Sequence, residues 1–307
     1  MRRFLIKLAL FVAPILLALA LVEYELARVP TGYAAKRRYL DRTIGEARVL
    51  VTGSSHAHYA VHPRLFGVPA FNTAYVSQDV YYDTRIVLKY LPRAAHLKLV
   101  IVSVSYFSFE GRIDDSAAAW RSPFYRRHWG IGPASPGFRW GDYSYIALYG
   151  AQRTRSLLWD RFRNSGAEHI DPEDGHAVLL RPSRAEVMSG KAAVGRHHTI
   201  MKVENIERNV RHLGELFDAL RARGVAAVII TTPVSRSYAE HMRPDTYRRM
   251  QDAVGDLCRR YGLEYRNYLT DARFAPDDFA DSNHLNARGA EQFSLILKDE
   301  VVSKYVR

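Results

Sequence analysis

The segment VLVTGSSHAHYAV, residues 49–61, joins a run of β-branched residues to a glycine, two serines and two histidines. Short apolar, β-branched runs that end at glycine are typical of buried strands, so we predict a strand over 47–53. The two serines follow directly at the carboxyl end of that strand. This arrangement is either a turn that is polar by coincidence or a nucleophile held at the edge of a sheet.

Four further segments resemble this strand and alternate with amphipathic segments. The predicted strands are 67–75, 97–107, 225–233 and 263–269, and the predicted helices are 77–91 (capped by Ser77), 204–224, 245–262 and 286–305 (capped by Asn286). This alternation predicts an α/β fold with three layers, α/β/α, and a mainly parallel sheet. Active groups in such sheets lie beyond the carboxyl ends of the strands. The candidate positions are therefore 53–56, 72–77, 103–108 and the loop before Asn286.

The first 25 residues carry three basic residues, the last of them Lys7, followed by an uncharged apolar stretch over 8–22. A helix of roughly 20 apolar residues spans a bilayer, and basic residues before it predict a cytoplasmic N-terminus. We predict one uncleaved N-terminal transmembrane helix in 1–25; a removed signal peptide and a buried core helix are the alternatives. Residues 26–46 are then a polar tether, and 47–307 form the domain outside the cytoplasm.

The chain has 307 residues, a formal net charge of +12 and one cysteine, Cys258. This length accommodates one sizeable α/β domain, and a single cysteine excludes an internal disulfide. The positive charge favours acidic partners such as anionic lipid headgroups or anionic glycans, and it is equally typical of a solvated basic surface. Nucleic acid is not expected as the partner of an exported domain.

Residues 110–200 interrupt the alternation, and we predict that they form an insertion with some helix of its own. Aromatic rings interleaved with arginine suit a sugar chain carrying acidic groups, through ring stacking and bidentate carboxylate contacts. The alternative is that the rings form the small core of the insertion and the arginines meet anionic lipid. The residues concerned are Trp120, Phe124, Tyr125, Trp129, Phe138, Trp140, Tyr143, Tyr145 and Tyr149, with Arg121, Arg126, Arg127 and Arg139.

The loop before the last predicted helix contains Asp281 and His284, three positions apart. A serine hydroxyl is a weak nucleophile until a base removes its proton, and the base needs an acceptor that orients it. Ser55 would supply the hydroxyl, His284 the base and Asp281 the acceptor. Taken alone, Asp-x-x-His is more often a loop of capping side chains. Its place in the last loop, with Gly-Ser-Ser at the end of the first strand, favours a catalytic site.

The segments VLVTGSSHAHY and DSNHLNARGAEQF resemble the first and last sequence blocks of the SGNH (GDSL-like) hydrolase superfamily. The resemblance covers roughly 47–105 and 201–305. It places the nucleophile at Ser55 and the Asp-x-x-His motif at Asp281 and His284. With its basic, then apolar N-terminus, the chain is similar to the membrane-anchored branch. That branch includes the D-alanine transfer protein of teichoic acid modification and the periplasmic alginate O-acetylation proteins.

The resemblance implies an SGNH/flavodoxin-like fold and a serine acyltransferase or esterase that works through a Ser-His-Asp acyl-enzyme. The implied substrate is a cell-surface or exported polysaccharide, with acetyl as the favoured acyl group. The implied location is the bacterial inner (plasma) membrane, with one span and the catalytic domain in the periplasm or cell exterior. A transferase of this type would also need a polytopic membrane acyltransferase to bring the acyl donor across. The alternative is a non-catalytic SGNH-fold factor that binds glycan or assists polysaccharide export and modification.

The sequence departs from the family pattern at the two blocks that supply oxyanion donors. Ala74 stands where the family has glycine, and its backbone N–H can still donate. The asparagine of the third block is absent, which leaves Ser105 and, from the neighbouring strand, Asn72 as substitutes. The loss of one oxyanion donor costs about 2.7–4 kcal/mol in the transition state, and this favours the non-catalytic alternative.

His56, His58 and His62 lie close to the proposed nucleophile, but their spacing matches no common zinc pattern. We therefore expect no metal and no cofactor, and we interpret the three histidines as structural or substrate-facing, with His56 lining the site. The sequence also lacks a Gly-rich nucleotide loop, a Gly-x-Ser-x-Gly elbow and a His-Glu-x-x-His motif. These absences argue against a nucleotide-binding protein, an elbow-type α/β-hydrolase and a zinc protease.

Overall fold

The computed structural model describes residues 1–135, 137–162, 170, 171, 174–177 and 189–306. The strands pair in the order β2-β1-β3-β4-β5, and every pair is parallel. The predicted α/β fold with a parallel sheet is therefore confirmed. The strands are β1 (Val49–Thr52), β2 (Ala70–Asn72), β3 (Leu99–Ser103), β4 (Ala226–Thr231) and β5 (Glu264–Asn267).

Helices precede the sheet and connect its strands. Within the described residues the α-helices are α1 (Arg2–Ala27), α2 (Gly32–Thr43), α3 (Ser55–Ala60), α4 (Val80–Tyr90), α5 (Ser122–Phe124), α6 (Tyr145–Phe162), α7 (Gly190–His198), α8 (Ile206–Ala222), α9 (Arg236–His241), α10 (Pro244–Tyr261), α11 (Ala287–Leu297) and α12 (Ser303–Tyr305). Helix α6 is kinked at Gly150, where φ is 68° and ψ is 169°.

The sheet has helices on both faces because successive strand residues point to opposite sides. Leu50 and Val100 belong to the core that also contains side chains from α2, α4, α8 and α10. Val51 and Ile101 belong to a second core, with α3 and α11. These two cores confirm the predicted three-layer arrangement.

The predicted cap of the second helix was wrong. Helix α4 begins after Asp79, whose Oδ1 accepts the N–H of Tyr82 at 3.1 Å. Ser77 lies in the preceding turn with φ of 59°, a left-handed conformation that an N-cap residue does not adopt. The Asn286 cap is correct, because its Oδ1 accepts the N–H of Gly289 at 3.0 Å.

The segment predicted as a polar tether, 26–46, contains helix α2 instead. Tyr33, Leu40 and Ile44 are buried in the main core. Their spacing of seven and four positions places them on one face of a helix, and this face packs against the domain. The chain is therefore folded onto the domain soon after α1 ends.

The two ends of the predicted insertion lie next to each other, because Gly111 and Met201 form an antiparallel bridge. Positions 136, 163–169, 172, 173 and 178–188 of the insertion lie outside the described residues. Seven aromatic residues of the described part fall into two groups, and Tyr145 and Tyr149 are partly buried. Phe124, Tyr125 and Trp129 are buried in the main core, whereas Trp120, Phe138, Trp140 and Tyr143 are more than half exposed.

Helix α1 is the one helix in the described residues that is long and apolar enough to cross a membrane. Its most apolar window has a mean hydropathy of 2.7, and none of that window is buried. A core helix would be covered by the rest of the domain, so that sequence-based alternative is wrong. A transmembrane span and a signal sequence share the properties observed here.

We predict that Gly53→Ala destabilises the turn that follows β1. Gly53 has φ of 147°, and a Cβ atom there would lie 2.8 Å from the carbonyl oxygen of Ser103. We expect a loss of about 1–3 kcal/mol in the free energy of unfolding, measured by chemical denaturation. Gly45→Ala is the control, because a Cβ atom at Gly45 meets nothing within 4 Å. Equal stabilities of the two variants would contradict the strained turn.

Candidate active site

The structure brings Ser55, His284 and Asp281 together in one hydrogen-bonded series. Ser55 is the first residue of α3, directly beyond the carboxyl end of β1, and His284 lies in the loop before α11. The distance from Ser55 Oγ to His284 Nε2 is 2.9 Å. His284 Nδ1 lies 2.8 Å from Asp281 Oδ2 and 3.1 Å from Oδ1. This is the order hydroxyl, imidazole, carboxylate that base-activated serine chemistry requires.

The loop around Asp281 holds His284 through the backbone. Asp281 Oδ1 accepts the N–H groups of Asn283 at 2.9 Å and His284 at 2.8 Å. Burial raises the pKa of Asp281, but the hydrogen bond and charge of His284, together with these N–H groups, outweigh it, so the pKa lies below its ordinary value. The carboxyl group is therefore ionised at neutral pH and orients the Nδ1–H of His284.

The residues beside Ser55 fix the start of α3. Ser54 Oγ accepts the N–H of His56 at 3.3 Å and caps the helix. The hydroxyl of Ser105 lies 3.0 Å from the hydroxyl of Ser54, and the N–H of Ser105 donates to Ser108 Oγ at 2.7 Å. Ser105 therefore contacts the capping residue, and its role as an oxyanion donor stays a prediction.

Asp83, on α4, supports the same turn and was not predicted from the sequence. Its Oδ1 accepts from Thr52 Oγ1 at 2.6 Å and from Gln78 Nε2 at 2.7 Å. Burial raises the pKa of Asp83 to about 6, although these hydrogen bonds and the N–H of Gly53 lower it. A buried acid with several donors is a rigid support for the end of β1.

Asn72 and Ala74 are not free to hold an oxyanion, which corrects the sequence-based prediction. Asn72 Nδ2 donates to the carbonyl oxygens of Ala57 and Val61, both at 2.9 Å. The N–H of Ala74 donates to Asn72 Oδ1 at 3.0 Å. The buried ammonium of Lys36 holds this loop from α2, donating to the carbonyl oxygens of Asn72, at 2.9 Å, and of Ala74. Asn72 thus fixes the end of α3 against β2.

The side-chain amide of Asn283 lies beside the Ser55–His284 pair. Asn283 was not predicted from the sequence. Its Nδ2 lies 3.0 Å from His56 Nε2 and 3.2 Å from His284 Nε2. An amide nitrogen only donates, so His56 Nε2 accepts and the ring is neutral. Burial lowers the pKa of His56 well below its ordinary value, with the charge of His284 as a smaller cause. His56 therefore lines the site through its contact with Asn283.

Helices α7 and α9 supply one wall of the site. His197 Nδ1 lies 2.6 Å from the hydroxyl of Tyr238, and the His197 ring lies 4.2 Å from the ring of Phe107. Burial lowers the pKa of His197 to about 3, with His284 as a smaller cause. Ser55 is only 9 % exposed. His197 could not be predicted from the sequence, because no pattern in the insertion connects α7 with the distant strand ends.

His58 and His62 have structural contacts. His58 is fully buried, with its ring 5.0 Å from that of Tyr75. Among the described residues, His62, Asp171 and Asp174 form the one group of three side chains close enough to share a metal ion. Asp171 is ion-paired with Arg64 at 2.7 Å, and His62 Nε2 lies 3.2 Å from Asp174 Oδ2. We interpret this group as a structural network of one ion pair and hydrogen bonds.

No protein-family model and no curated protein matches the sequence. Solved structures similar to the chain include an acylhydrolase from Bacteroides fragilis, with 11% identity, a TM-score of 0.41 and coverage of 93% of this chain and 95% of that one. A GDSL-like lipase from Bacteroides thetaiotaomicron has 9% identity and a TM-score of 0.42, covering 89% and 98%. A carbohydrate acetylesterase from Sinorhizobium meliloti has 11% identity and a TM-score of 0.34, covering 83% and 98%.

The resemblance to the SGNH (GDSL-like) superfamily rests on the segments VLVTGSSHAHY and DSNHLNARGAEQF of the sequence. The membrane-anchored branch of that superfamily stays a prediction.

We predict that His197→Gln weakens the dependence of stability on pH. The folded chain binds a proton at His197 only near pH 3, whereas the unfolded chain does so near pH 6.5, so unfolding takes up a proton between these values. The free energy of unfolding therefore falls as the pH is lowered through this range, by about 1.4 kcal/mol per pH unit for one such group. Denaturation curves at pH 4.5 and 6 should show a smaller difference in the variant.

The control is His241→Gln, at an exposed histidine on α9. It should keep the wild-type difference between the two pH values. A wild-type difference in His197→Gln as well would show that His197 is not held neutral by burial.

Proposed function

We propose that this chain is a membrane-anchored acyl-transfer enzyme of SGNH type, an O-acetyltransferase or esterase for a cell-surface or exported polysaccharide. The observation that carries the proposal is the contact of Ser55 Oγ with His284 Nε2 at 2.9 Å, backed by Asp281 at 2.8 Å. Helix α1 is the proposed anchor in the bacterial inner membrane, with the domain on the periplasmic or outer side. The proposed mechanism uses no cofactor.

In the first half-reaction Ser55 Oγ attacks the carbonyl carbon of the acyl donor while its proton passes to His284 Nε2. The carbonyl π electrons move to oxygen, and Asp281 stabilises the imidazolium that has formed. The tetrahedral intermediate collapses, its bond to the leaving oxygen breaks, and His284 gives the proton to that oxygen. The acyl group is now an ester of Ser55.

In the second half-reaction His284 removes a proton from the acceptor hydroxyl, whose oxygen attacks the carbonyl carbon of the acyl-enzyme. The bond from that carbon to Ser55 Oγ then breaks, and His284 returns the proton to Ser55 Oγ. A sugar hydroxyl as acceptor makes the protein a transferase, and water makes it an esterase. The same three side chains serve both outcomes. A transferase also needs a polytopic membrane acyltransferase, or another membrane partner, to supply the acyl donor.

The oxyanion is held, in this proposal, by the backbone N–H of Ser55 and the side-chain amide of Asn283. Asn283 supports this role because His56 accepts one of its amide hydrogens and so orients the other. The amide nitrogen lies 3.2 Å from His284 Nε2, and this is the ring atom that contacts Ser55 Oγ. Asn283 thus takes the place that sequence analysis gave to Ala74 and Asn72.

A non-catalytic role in glycan binding or polysaccharide assembly is the second candidate. One observation favours it: the N–H of Ala74 and the amide of Asn72 are both engaged in structural hydrogen bonds. A protein that had kept the fold and lost catalysis could have lost these donors without consequence. Reactivity at Ser55 separates the two candidates.

We expect a fluorophosphonate probe to label the wild-type protein at Ser55 and Ser55→Ala to abolish labelling. The matched control is Ser54→Ala, which keeps the label because the Ser54 hydroxyl faces Ser105 rather than His284. Labelling is followed by gel fluorescence, and the modified peptide is identified by mass spectrometry. A folded wild-type protein that never reacts would support the binding role.

We expect Asn283→Ala to lower kcat for p-nitrophenyl acetate by about 10²–10³, the usual effect of removing an oxyanion donor. Asn286→Ala is the matched control on the same loop, where the side chain caps α11. It should lower the free energy of unfolding by about 1 kcal/mol and leave kcat close to wild type. An Asn283→Ala enzyme with wild-type kcat would remove Asn283 from the mechanism.

A further inference from the structure

Three exposed aromatic side chains of the insertion form one surface patch, which we name the aromatic patch: Phe138, Trp140 and Tyr143. They are 66%, 72% and 63% exposed. The ring of Phe138 lies 4.9 Å from that of Trp140 and 5.4 Å from that of Tyr143. Contiguous exposed apolar groups on a soluble surface mark a site of interaction.

The patch is tied to the end of α1 by a carboxylate. Glu23 of α1 accepts the N–H of Tyr145 at 2.8 Å and of Ile146 at 3.1 Å, and it also accepts the hydroxyl of Ser144. These N–H groups belong to the first turn of α6, where the helix itself supplies no acceptor. A residue of the apolar helix therefore caps a helix of the insertion.

The connection from this cap to the patch is short. Tyr143 directly precedes Ser144, and the N–H of Ser144 donates to the carbonyl oxygen of Trp140 at 3.0 Å. Trp140 and Tyr143 are therefore held within a turn of backbone from the Glu23 cap. Leu21 and Tyr24 of α1 are also exposed.

The position of Glu23 along α1 fixes the level of the aromatic patch along the membrane normal. The stretch from Phe4 to Val22, apolar except for Lys7 near its start, is about 28 Å long as a helix, since each residue adds 1.5 Å. The hydrocarbon core of a bilayer is about 30 Å thick, so Glu23 stands where the core ends. Tryptophan and tyrosine are enriched at this level because their rings are apolar and their edges are polar.

We propose that the aromatic patch inserts into the headgroup region of the outer leaflet, so that the insertion lies on the bilayer beside α1. The partner is the lipid surface itself. The domain is thereby held at the membrane, and Ser55 acts on substrates that are presented there. The inference rests on the proposed anchor.

The test uses the full chain in phosphatidylcholine–phosphatidylglycerol vesicles, with bromine on the acyl chains close to the headgroups. The emission of Trp140 is the difference between wild type and Trp140→Phe. We expect brominated lipid to reduce that difference about twofold or more, and iodide in the outer solution to have little effect.

The control is Leu295→Trp in the Trp140→Phe background. Leu295 is exposed on α11, which lies on the opposite face of the sheet from α2. This tryptophan should be quenched by iodide and not by brominated lipid. Unchanged thermal unfolding curves show that the variants are folded.

Flotation of the vesicles and probe labelling of Ser55 are measured on the same samples. If the protein floats with the vesicles but Trp140 is as accessible to iodide as the control tryptophan, the patch proposal is overturned and the anchor stands. If the protein does not float with the vesicles, the proposed membrane anchor is wrong. The patch proposal, which rests on that anchor, is then overturned as well. Labelling of Ser55 reports on the acyl-transfer proposal independently of either result.

Discussion

The hydrogen bond between Ser55 and His284 joins residues 229 positions apart, and the arrangement of the site depends on it. It forms because β1 lies inside the sheet and α11 packs with α3 on the same face. Ser294 of α11 strengthens this alignment by accepting the N–H of His62 at 2.8 Å. The loop that leads into α11 is thereby delivered to the carboxyl end of β1. A shift of α11 by a fraction of a turn would separate the base from the hydroxyl.

Burial and hydrogen bonding determine which of the polar groups around that bond are charged. His56 and His197 are neutral because burial depresses their pKa values, so neither competes with His284 for a proton at neutral pH. Asp281 is ionised, because its hydrogen bonds outweigh its burial. The resulting site contains one carboxylate that contacts His284 directly. This separation of charges suits a base that gains and loses a proton in each turnover.

The fold and the three central residues could be predicted from sequence because each depends on a local pattern. Continuous apolar runs mark β1, β3 and β4, and the rule for strand ends brings Ser55 and His284 to one edge. The hydrogen bonds that engage Asn72 could not be predicted, because they go to carbonyl groups that only the tertiary structure brings to it. Helix α2 was missed since its buried residues are separated by lysine and arginine, which make the segment look like a tether.

The central claim is that His284 activates the hydroxyl of Ser55, and the rate of phosphonylation of Ser55 tests it most directly. The second-order rate constant for a fluorophosphonate is measured for wild type, His284→Ala and Asp281→Asn, with the site of modification verified by mass spectrometry. General-base catalysis predicts that His284→Ala slows the reaction by about 10²–10⁴. Asp281→Asn should fall between that variant and wild type, because the base remains and loses only its orienting carboxylate. A rate constant unchanged in His284→Ala would contradict the account.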